Sequence, residues 1–515
     1  MRMFPTCVGV LSAVLALSSA ASGQGAYPLS GTWRFGSIVT RQASLTCGTP
    51  GPGLTVEEGT LTMAPMGTFT LTATVVEICA GGTPLPGTDS DSGSYETSTN
   101  NMVVLDMDPQ NPGTDTETIL LRGNGLLGIT SADAPSGEGR IKVAFKLSSG
   151  QSNGSLNGSY HVVRIEESTF GGLSAASDFG VITFDGAGAW SENGWRHSVS
   201  VTGLTTDAPY SRNGVYTILP DGTLFAGNLG AGAISADGEA FFWVDSSAPD
   251  VGITVGVRAM TPIAFTTFEG EWGFAGLDLQ TASGPGFPIF QTRLGTFSTV
   301  PQTPATGGYA GMALELLTDP LGTSSQIAPL TGSWTLGAAG NLGLLEAGQT
   351  AAMSGALGPA GTFMIARDVR AGHVGIMLGI KECVWPAPYG TGTAGAGGVV
   401  PDLMTFGGYP YLGNDGFRFH VAGGRGGALA VLALSLDQAP GPGVLIDLNQ
   451  LILLYPLFLS GPAGVPGAGS GTVFLPIPDS ASLEGIQIQT QAGIFDLAAP
   501  QGLALTPGLQ VTFCR

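Results

Sequence analysis

One short motif recurs along this chain and constrains its fold more than any other feature. Gly-x-aromatic opens a segment at Gly31-Thr32-Trp33, at Gly158-Ser159-Tyr160 and at Gly270-Glu271-Trp272. Each segment ends about 100 to 115 residues later on an apolar stretch that finishes in a cation, at Lys146, Arg258 and Lys381. Three copies of one unit predict an array, and arrays usually serve as display scaffolds or binding surfaces.

Strand and turn signals fill each copy. The middle one alternates apolar runs with Asp185-Gly186, Asp221-Gly222 and Asp237-Gly238, and Asp-Gly favours tight hairpins. We count about eight sequential strands per copy, and closure into a barrel would remove exposed sheet edges. The predicted fold is all-β, with repeats at 28–148, 156–260 and 267–383. A linker at 386–400 and a C-terminal β-sandwich at 401–515 follow.

The openers and closers resemble the lipocalin and avidin (calycin) pattern, in which Gly-x-Trp on the first strand packs beside an Arg on the last. Here two of the three cations are Lys and one of the three aromatic residues is Tyr. This resemblance implies three eight-stranded up-and-down barrels, with Trp33 beside Lys146, Tyr160 beside Arg258 and Trp272 beside Lys381. Gly-x-aromatic also occurs inside the copies, so repeats of about 60 residues forming a six-bladed propeller are the alternative. The segment from Tyr389-Gly390 to Phe513 resembles a β-rich terminal domain of large secreted bacterial proteins.

The N-terminus predicts export. Arg2, the apolar run Val8 to Leu17 and the small residues Ser18 to Gly23 form a signal-peptide pattern over residues 1–23. We therefore expect a secreted, extracytoplasmic protein. Leu451 to Leu459 is strongly apolar but too short and interrupted to span a bilayer, so it predicts buried strands and no transmembrane segment.

Four cysteines remain beyond the signal pattern, and an even number in an exported chain predicts two disulfides. Three pairings are open. We favour Cys47–Cys79 and Cys383–Cys514.

The charge balance excludes one class of partner. The formal net charge is −20 and the chain has only three lysines, whereas nucleic-acid binding needs clustered cations. Asp89 and Asp91 alternate along the chain and are candidate calcium ligands, although calcium needs six to eight oxygens; no other cofactor is expected.

The sequence assigns no catalytic residue. The lead hypothesis is a secreted, non-catalytic β-repeat protein with a structural, adhesive or surface-binding role. An extracellular small-molecule binder that uses the barrel interiors is the alternative, and an uncharacterised hydrolase is a third class. Trp190, Trp195 and His197 are candidate binding residues for a glycan or cell-surface partner, because exposed aromatic rings can stack on sugars. Ligand identity and oligomeric state stay open.

Overall fold

The computed structural model is built almost entirely of antiparallel strands, and it contains no α-helix among the residues it describes. Those residues are 29–41, 53–64, 67–79, 85–97, 102–107, 116–121, 127–130, 133–134, 138–168, 174–200, 203–227, 229–246, 250–259, 268–280, 289–303, 305–319, 322–337, 339–350, 352–358, 361–383, 386–406, 409–414, 416–439, 443–478, 480–499 and 502–514. They form two compact units, which divide between Glu382 and Cys383. The predicted signal peptide and the Cys47 side of the predicted Cys47–Cys79 bridge lie outside them.

The first repeat is a closed barrel. The first seven strands pair in chain order, and the seventh pairs with the ninth. The first strand, β1 (Gly31–Arg41), pairs with both β2 (Gly53–Met63) and β9 (Glu138–Lys146), so that Trp33 lies opposite Lys146. The short strand β8 extends the ladder beside β9. The strands are β1 Gly31–Arg41, β2 Gly53–Met63, β3 Thr68–Cys79, β4 Leu85–Thr97, β5 Met102–Asp106, β6 Thr116–Leu121, β7 Leu127–Thr130, β8 Asp133–Ala134 and β9 Glu138–Lys146.

The middle repeat has nine strands in one curled sheet. Its first and last strands pair, with Tyr160 opposite Arg258. They are β10 Asn157–Ser168, β11 Ser174–Asp185, β12 Ala189–Ser200, β13 Thr205–Val215, β14 Thr217–Ile218, β15 Thr223–Phe225, β16 Gly230–Ile234, β17 Ala240–Asp245 and β18 Asp250–Arg258, after a 3-10 turn at Asn153–Ser155.

This middle sheet is not closed by a ladder, so the expectation of three closed barrels is not met here. Its two ends, β13 and β14, follow one another in the chain on either side of Tyr216 and do not pair with each other. The Tyr216 hydroxyl donates to the carbonyls of Asn153 and Leu156, and its N–H donates to Gly188. These bonds hold the chain where it passes from the β12 ladder to the β15 ladder.

The third repeat is again a closed eight-stranded barrel, and Trp272 lies opposite Lys381 where β19 meets β26. The sequential meanders of the three repeats do not form the blades of a propeller. The strands are β19 Gly270–Gln280, β20 Ile289–Thr303, β21 Thr306–Asp319, β22 Gly322–Leu336, β23 Asn341–Glu346, β24 Met353–Leu357, β25 Phe363–Asp368 and β26 His373–Lys381.

The glycine of each opening motif has a backbone reason. Gly31, Gly158 and Gly270 have φ values of 131°, 101° and 122°, which side chains other than hydrogen rarely allow. A Cβ on Gly31 or Gly270 would also lie 3.2 Å from the Cε atom of Lys146 or Lys381. In the middle repeat the Arg258 guanidinium lies 4.9 Å from the centre of the Tyr160 ring, within the range of a cation–π contact. The cation of the last strand therefore covers both the glycine and, in this repeat, the aromatic ring.

The three repeats share one core. Residues on the outer faces of the closing strands pack against those of the neighbouring repeats, for example Phe145 edge-to-face with Phe242 at 5.2 Å. The closing strand β26 and its neighbour β25 are consequently buried on both faces along most of their length. This explains why the closing strands read as continuous apolar runs.

The C-terminal unit is a β-sandwich of two sheets. A disulfide joins Cys383 to Cys514, the pair favoured by the sequence, and Phe419, Leu432 and Val511 lie in the core. Its strands are β27 Ala387–Tyr389, β28 Asp402–Phe406, β29 Arg418–Gly424, β30 Leu429–Ser435, β31 Leu451–Phe458, β32 Gly469–Phe474, β33 Gln487–Phe495, β34 Leu503–Leu505 and β35 Gly508–Thr512, with 3-10 turns at Ala396–Gly398, Leu448–Gln450 and Ala481–Leu483.

Two sequence expectations need correction in this unit. The segment predicted as a linker carries β27, which pairs with β35 and so belongs to the sandwich. The apolar strand β31 is largely exposed rather than buried, with Phe458 78% exposed. It is the last strand of its sheet and pairs only with β30, so no strand of that sheet covers its other edge.

Candidate functional site

The interior of the middle repeat is filled at one end by aromatic side chains. Phe184 meets Tyr216 at 4.9 Å between ring centres, and Trp190 lies 6.0 Å from Trp243. All four are buried, and Tyr160 and Phe241 pack among them. This end of the interior is therefore a packed core.

The other end of the same interior holds a buried network of ions. Arg164 is 1% exposed; its guanidinium donates to Thr254 at 2.7 Å and forms ion pairs with Asp178 at 3.3 Å and Glu192 at 3.0 Å. Although burial alone would lower it, the neighbouring carboxylates raise the pKa of Arg164 above its usual value. Closer to solvent, Arg196 and Arg212 both pair with Glu166 and Asp178, while Tyr210 donates to Glu192. Burial first, and then Glu192, raises the pKa of Tyr210.

Three cations and three carboxylates balance in this network, and each contacts a partner. These six charges are therefore paired with one another within the protein, and the network itself offers no charge to a ligand. With the aromatic end, it leaves the middle interior filled by its own side chains.

The third repeat holds a cluster whose ligand atoms lie near enough to suggest a cation site. Asp278, Asp368 and His373 bring one ligand atom each within 4.8 Å of the others. The guanidinium of Arg370 already lies among them, pairing with both carboxylates. Burial raises the pKa of Asp278, whereas the bonds from Arg370 lower that of Asp368 in spite of burial. The Arg370 guanidinium therefore already supplies the positive charge at this cluster.

The predicted calcium ligands lie elsewhere. Asp89 and Asp91 are alternate residues of the strand β4 rather than members of a loop. The Oδ1 atom of Asp91 accepts a hydrogen bond from the Ser92 N–H. Two carboxylates on a strand supply fewer oxygens than calcium takes.

The outer face of the middle repeat carries a platform of a different kind. Side chains alternate between the two faces of a strand. Because Ile182 and Trp190 point inward, the residues next to them along β11 and β12 point outward, as do their cross-strand neighbours on β13. Two rows cross these strands in direct register, and together we call them the Trp195 platform: Phe179–Trp195–Pro209 and Val181–Asn193–Ser211.

Trp195 dominates this platform because it is 56% exposed, whereas most large apolar side chains of the repeat are buried. Phe179 is half-buried beside it and stacks against the His161 ring, with centres 6.1 Å apart and planes 5° apart. The exposed indole and the uncharged side chains of Asn193 and Ser211 therefore form a surface on which a ligand can pack.

A groove lies between the platform and the third repeat. It consists of two adjoining cavities of about 610 and 650 Å³, which share Phe179, Trp195 and Asn341. The facing wall comes from the third repeat and combines small, hydroxyl and amide residues with two leucines: Ala305, Thr306, Thr335, Leu336, Gly337, Asn341, Leu342 and Ser354. Volumes of this size suit a ligand of a few rings.

Polar contacts fix the two walls relative to each other. His197 bonds through Nε2 to the carbonyl of His373 at 3.0 Å and through Nδ1 to Asp207 at 2.9 Å. The Arg367 guanidinium donates to the carbonyls of Ser177 at 3.0 Å and Trp195 at 2.7 Å. The groove is therefore a defined feature of the fold.

The structure separates the three predicted binding residues. Trp190 is buried inside the middle repeat, Trp195 faces outward into the groove, and His197 is buried beneath it as a contact between repeats. Sequence reasoning missed Phe179, Asn341 and Arg367. The Asp185-Gly186 turn sets the β11–β12 register and so could have placed Phe179 opposite Trp195, but nothing local predicts the contribution of the third repeat.

Comparisons with known proteins assign neither a family nor a function to this chain. No protein-family model and no curated protein matches the chain. A solved protein of unknown function from the DUF3598 family of Nostoc punctiforme is 11% identical, with 45% of this chain and 97% of that chain covered and a TM-score of 0.17. Isotype 1 transferrin-binding protein B from serogroup B Neisseria meningitidis is 9% identical, with 68% and 76% covered and a TM-score of 0.18. At these scores neither likeness carries an argument.

No described helix has the length and apolarity needed to cross a bilayer.

Proposed function

We propose that this chain is a secreted, non-catalytic binding protein that holds a saccharide of a cell or matrix surface on the Trp195 platform. The observation that carries the proposal is the 56% exposed indole of Trp195 in register between Phe179 and Pro209, at the floor of a groove. The axial C–H groups of a sugar ring pack on the electron-rich face of an aromatic ring, and the same indole keeps a polar edge for water.

The rest of the lining supports a polyhydroxylated ligand. Asn193, Ser211, Asn341, Thr306 and Thr335 offer amide and hydroxyl groups that both donate and accept, as hydroxyl recognition requires. A purely apolar ligand would leave these groups unpaired, which disfavours it.

Export is part of the same proposal. The signal-peptide pattern at residues 1–23 and the Cys383–Cys514 disulfide both support an oxidising, extracytoplasmic location. A tandem array in such a location suits adhesion or display more than turnover of a substrate, and the proposal includes no catalytic step.

The alternative, a small-molecule binder that uses a barrel interior, has weaker support. The middle interior is occupied by the aromatic residues at one end and by the ion network around Arg164 at the other. A ligand there would have to displace buried, mutually paired charges, which costs several kcal/mol. The groove needs no such displacement.

Isothermal titration calorimetry of the secreted chain against a panel of surface oligosaccharides tests the proposal. Trp195→Ala is expected to weaken binding of any hit by about two- to twelvefold, since a stacked aromatic face contributes roughly 0.5–1.5 kcal/mol. Phe225→Ala is the matched control, because Phe225 is 40% exposed on the same repeat but does not line the groove. Equal losses for both variants, or no binding across the panel, would refute the proposal.

A further inference from the structure

Arg367 is an exception among the buried arginines of the three repeats. It is 7% exposed, yet within the described part of the chain its only hydrogen-bond partners are the neutral carbonyls of Ser177 and Trp195. Its Nε atom is buried and has no partner, and no carboxylate among the described residues lies within ion-pair distance. By contrast, Arg164 has Asp178 and Glu192 in contact.

This uncompensated charge lies in the wall of the groove. Arg367 lines the cavity that it shares with Trp195, Phe179 and Asn341, and it is the only Asp, Glu, Lys or Arg among the residues that line either cavity. Burial lowers the pKa of Arg367, and the more distant carboxylates of Asp178 and Asp207 offset only part of that effect. Buried cations in proteins are normally paired, so the missing anion is expected to come from the ligand.

We infer that the groove takes an acidic saccharide, whose carboxylate pairs with the Arg367 guanidinium while its ring stacks on Trp195. This inference rests on the proposed function and names its ligand class. Because Arg367 donates directly to the carbonyl of Trp195, the charge and the indole belong to one small area. A carboxylate attached directly to the sugar ring, as in a uronic acid, fits that proximity better than one on a long substituent.

His161 supplies the complementary group at the other cavity. Its Nε2 atom lies 3.1 Å from the carbonyl oxygen of Ala339, a contact that requires the proton on Nε2 and leaves Nδ1 as an acceptor. That Nδ1 atom is buried without a partner, and the ring is 5% exposed in the wall of the second cavity. Burial also lowers the pKa of His161, which favours this neutral form. A sugar hydroxyl is the donor that this site lacks.

The test uses matched ligands that differ only in charge. Oligosaccharides of galacturonate, glucuronate and a sialic acid are titrated calorimetrically into the full chain, each beside its own methyl ester. The acid form of at least one is expected to bind at least about tenfold more tightly than its ester, as charge-assisted contacts to arginine are roughly twice as strong as neutral ones.

Arg367→Gln should reduce the affinity for the acid to that for the ester, whereas Phe225→Ala should leave the preference unchanged. Retained ester binding by Arg367→Gln reports that the groove is folded. If that variant fails to fold, Arg367→Lys keeps the charge without the planar fork and is expected to retain part of the preference.

The possible failures are distinguishable. Equal binding of acid and ester by the wild type overturns the acidic ligand but leaves the Trp195 platform as a saccharide site. A preference for the acid that persists in Arg367→Gln overturns the role of Arg367. Absence of binding by every saccharide overturns both this inference and the proposed function.

Discussion

Arg164 offers the most direct test of how the middle repeat is held together. Arg164→Met replaces the guanidinium by an apolar side chain of similar length, and it removes the contacts to Thr254, Asp178 and Glu192. Breaking a buried ion pair on one side typically destabilises by about 3–5 kcal/mol. Asp178 keeps Arg196 and Arg212, and Glu192 keeps the Tyr210 hydroxyl, so the lower end, about 3 kcal/mol, is expected.

Hydrogen exchange measured by mass spectrometry is the suitable assay, since the chain has two compact units and one global unfolding curve would mix them. Peptides from β10 and β11 should lose about 3 kcal/mol of opening free energy in Arg164→Met. Peptides from the C-terminal unit should remain unchanged and serve as the internal reference.

A double-mutant cycle separates the ion pair from simple packing. In the Arg164→Met background Glu192 is a carboxylate without its cation, so Glu192→Gln should be neutral or stabilising there, although it destabilises the wild type. A loss below about 1 kcal/mol in Arg164→Met, or strict additivity in the cycle, would refute the view that these charges depend on one another.

Three further outcomes follow from local geometry. Gly158→Ala should destabilise the middle repeat by about 1–2 kcal/mol in hydrogen exchange, because Gly158 has a φ of 101°, whereas Gly154→Ala should not. Burial and then Glu271 raise the pKa of Glu382 to about 7 from 4.5. The folded state therefore holds that proton to higher pH, and wild-type stability falls as pH rises between these values. Glu382→Gln should add about 1–2 kcal/mol at pH 8 and nothing at pH 4, measured by hydrogen exchange of peptides from the third repeat. Cys383→Ser removes the disulfide that links residues 131 positions apart, and it should cost the C-terminal unit up to about 4–5 kcal/mol in hydrogen exchange of peptides from that unit. Reductant should abolish this difference from the wild type.

The pairing of first and last strands could be read from the sequence because it depends on local chemistry. Gly31 and Gly270 have a backbone conformation that few residues tolerate. In each of these repeats a cation ends the last strand, opposite the aromatic residue of the first. Asp-Gly turns likewise set hairpin registers such as the one that joins Phe179 to Trp195. The all-β class, which was predicted from these local strand and turn signals, is confirmed.

What depends on contacts between repeats could not be predicted. Arg164 alternates with apolar residues on β10, as a surface residue of a half-exposed strand would, and only closure of the sheet buries it. Arg367 lies in a strand that is buried on both faces because the middle repeat covers its outer side. The break between β13 and β14 also escapes a pattern analysis, since the chain stays extended through Tyr216 and only the partner strand changes.

The distribution of polar groups explains why the binding surface lies outside the middle sheet. An eight-stranded barrel is about wide enough to be filled by its own side chains. In the middle repeat aromatic rings occupy one end of the interior and paired ions the other, so the interior is filled and its buried charges are paired. Among the buried polar atoms without partners are Nε of Arg367 and Nδ1 of His161, and both residues line the groove beside Trp195. An unpaired buried group is costly, and at these two positions a ligand in the groove would supply the partner that the fold does not.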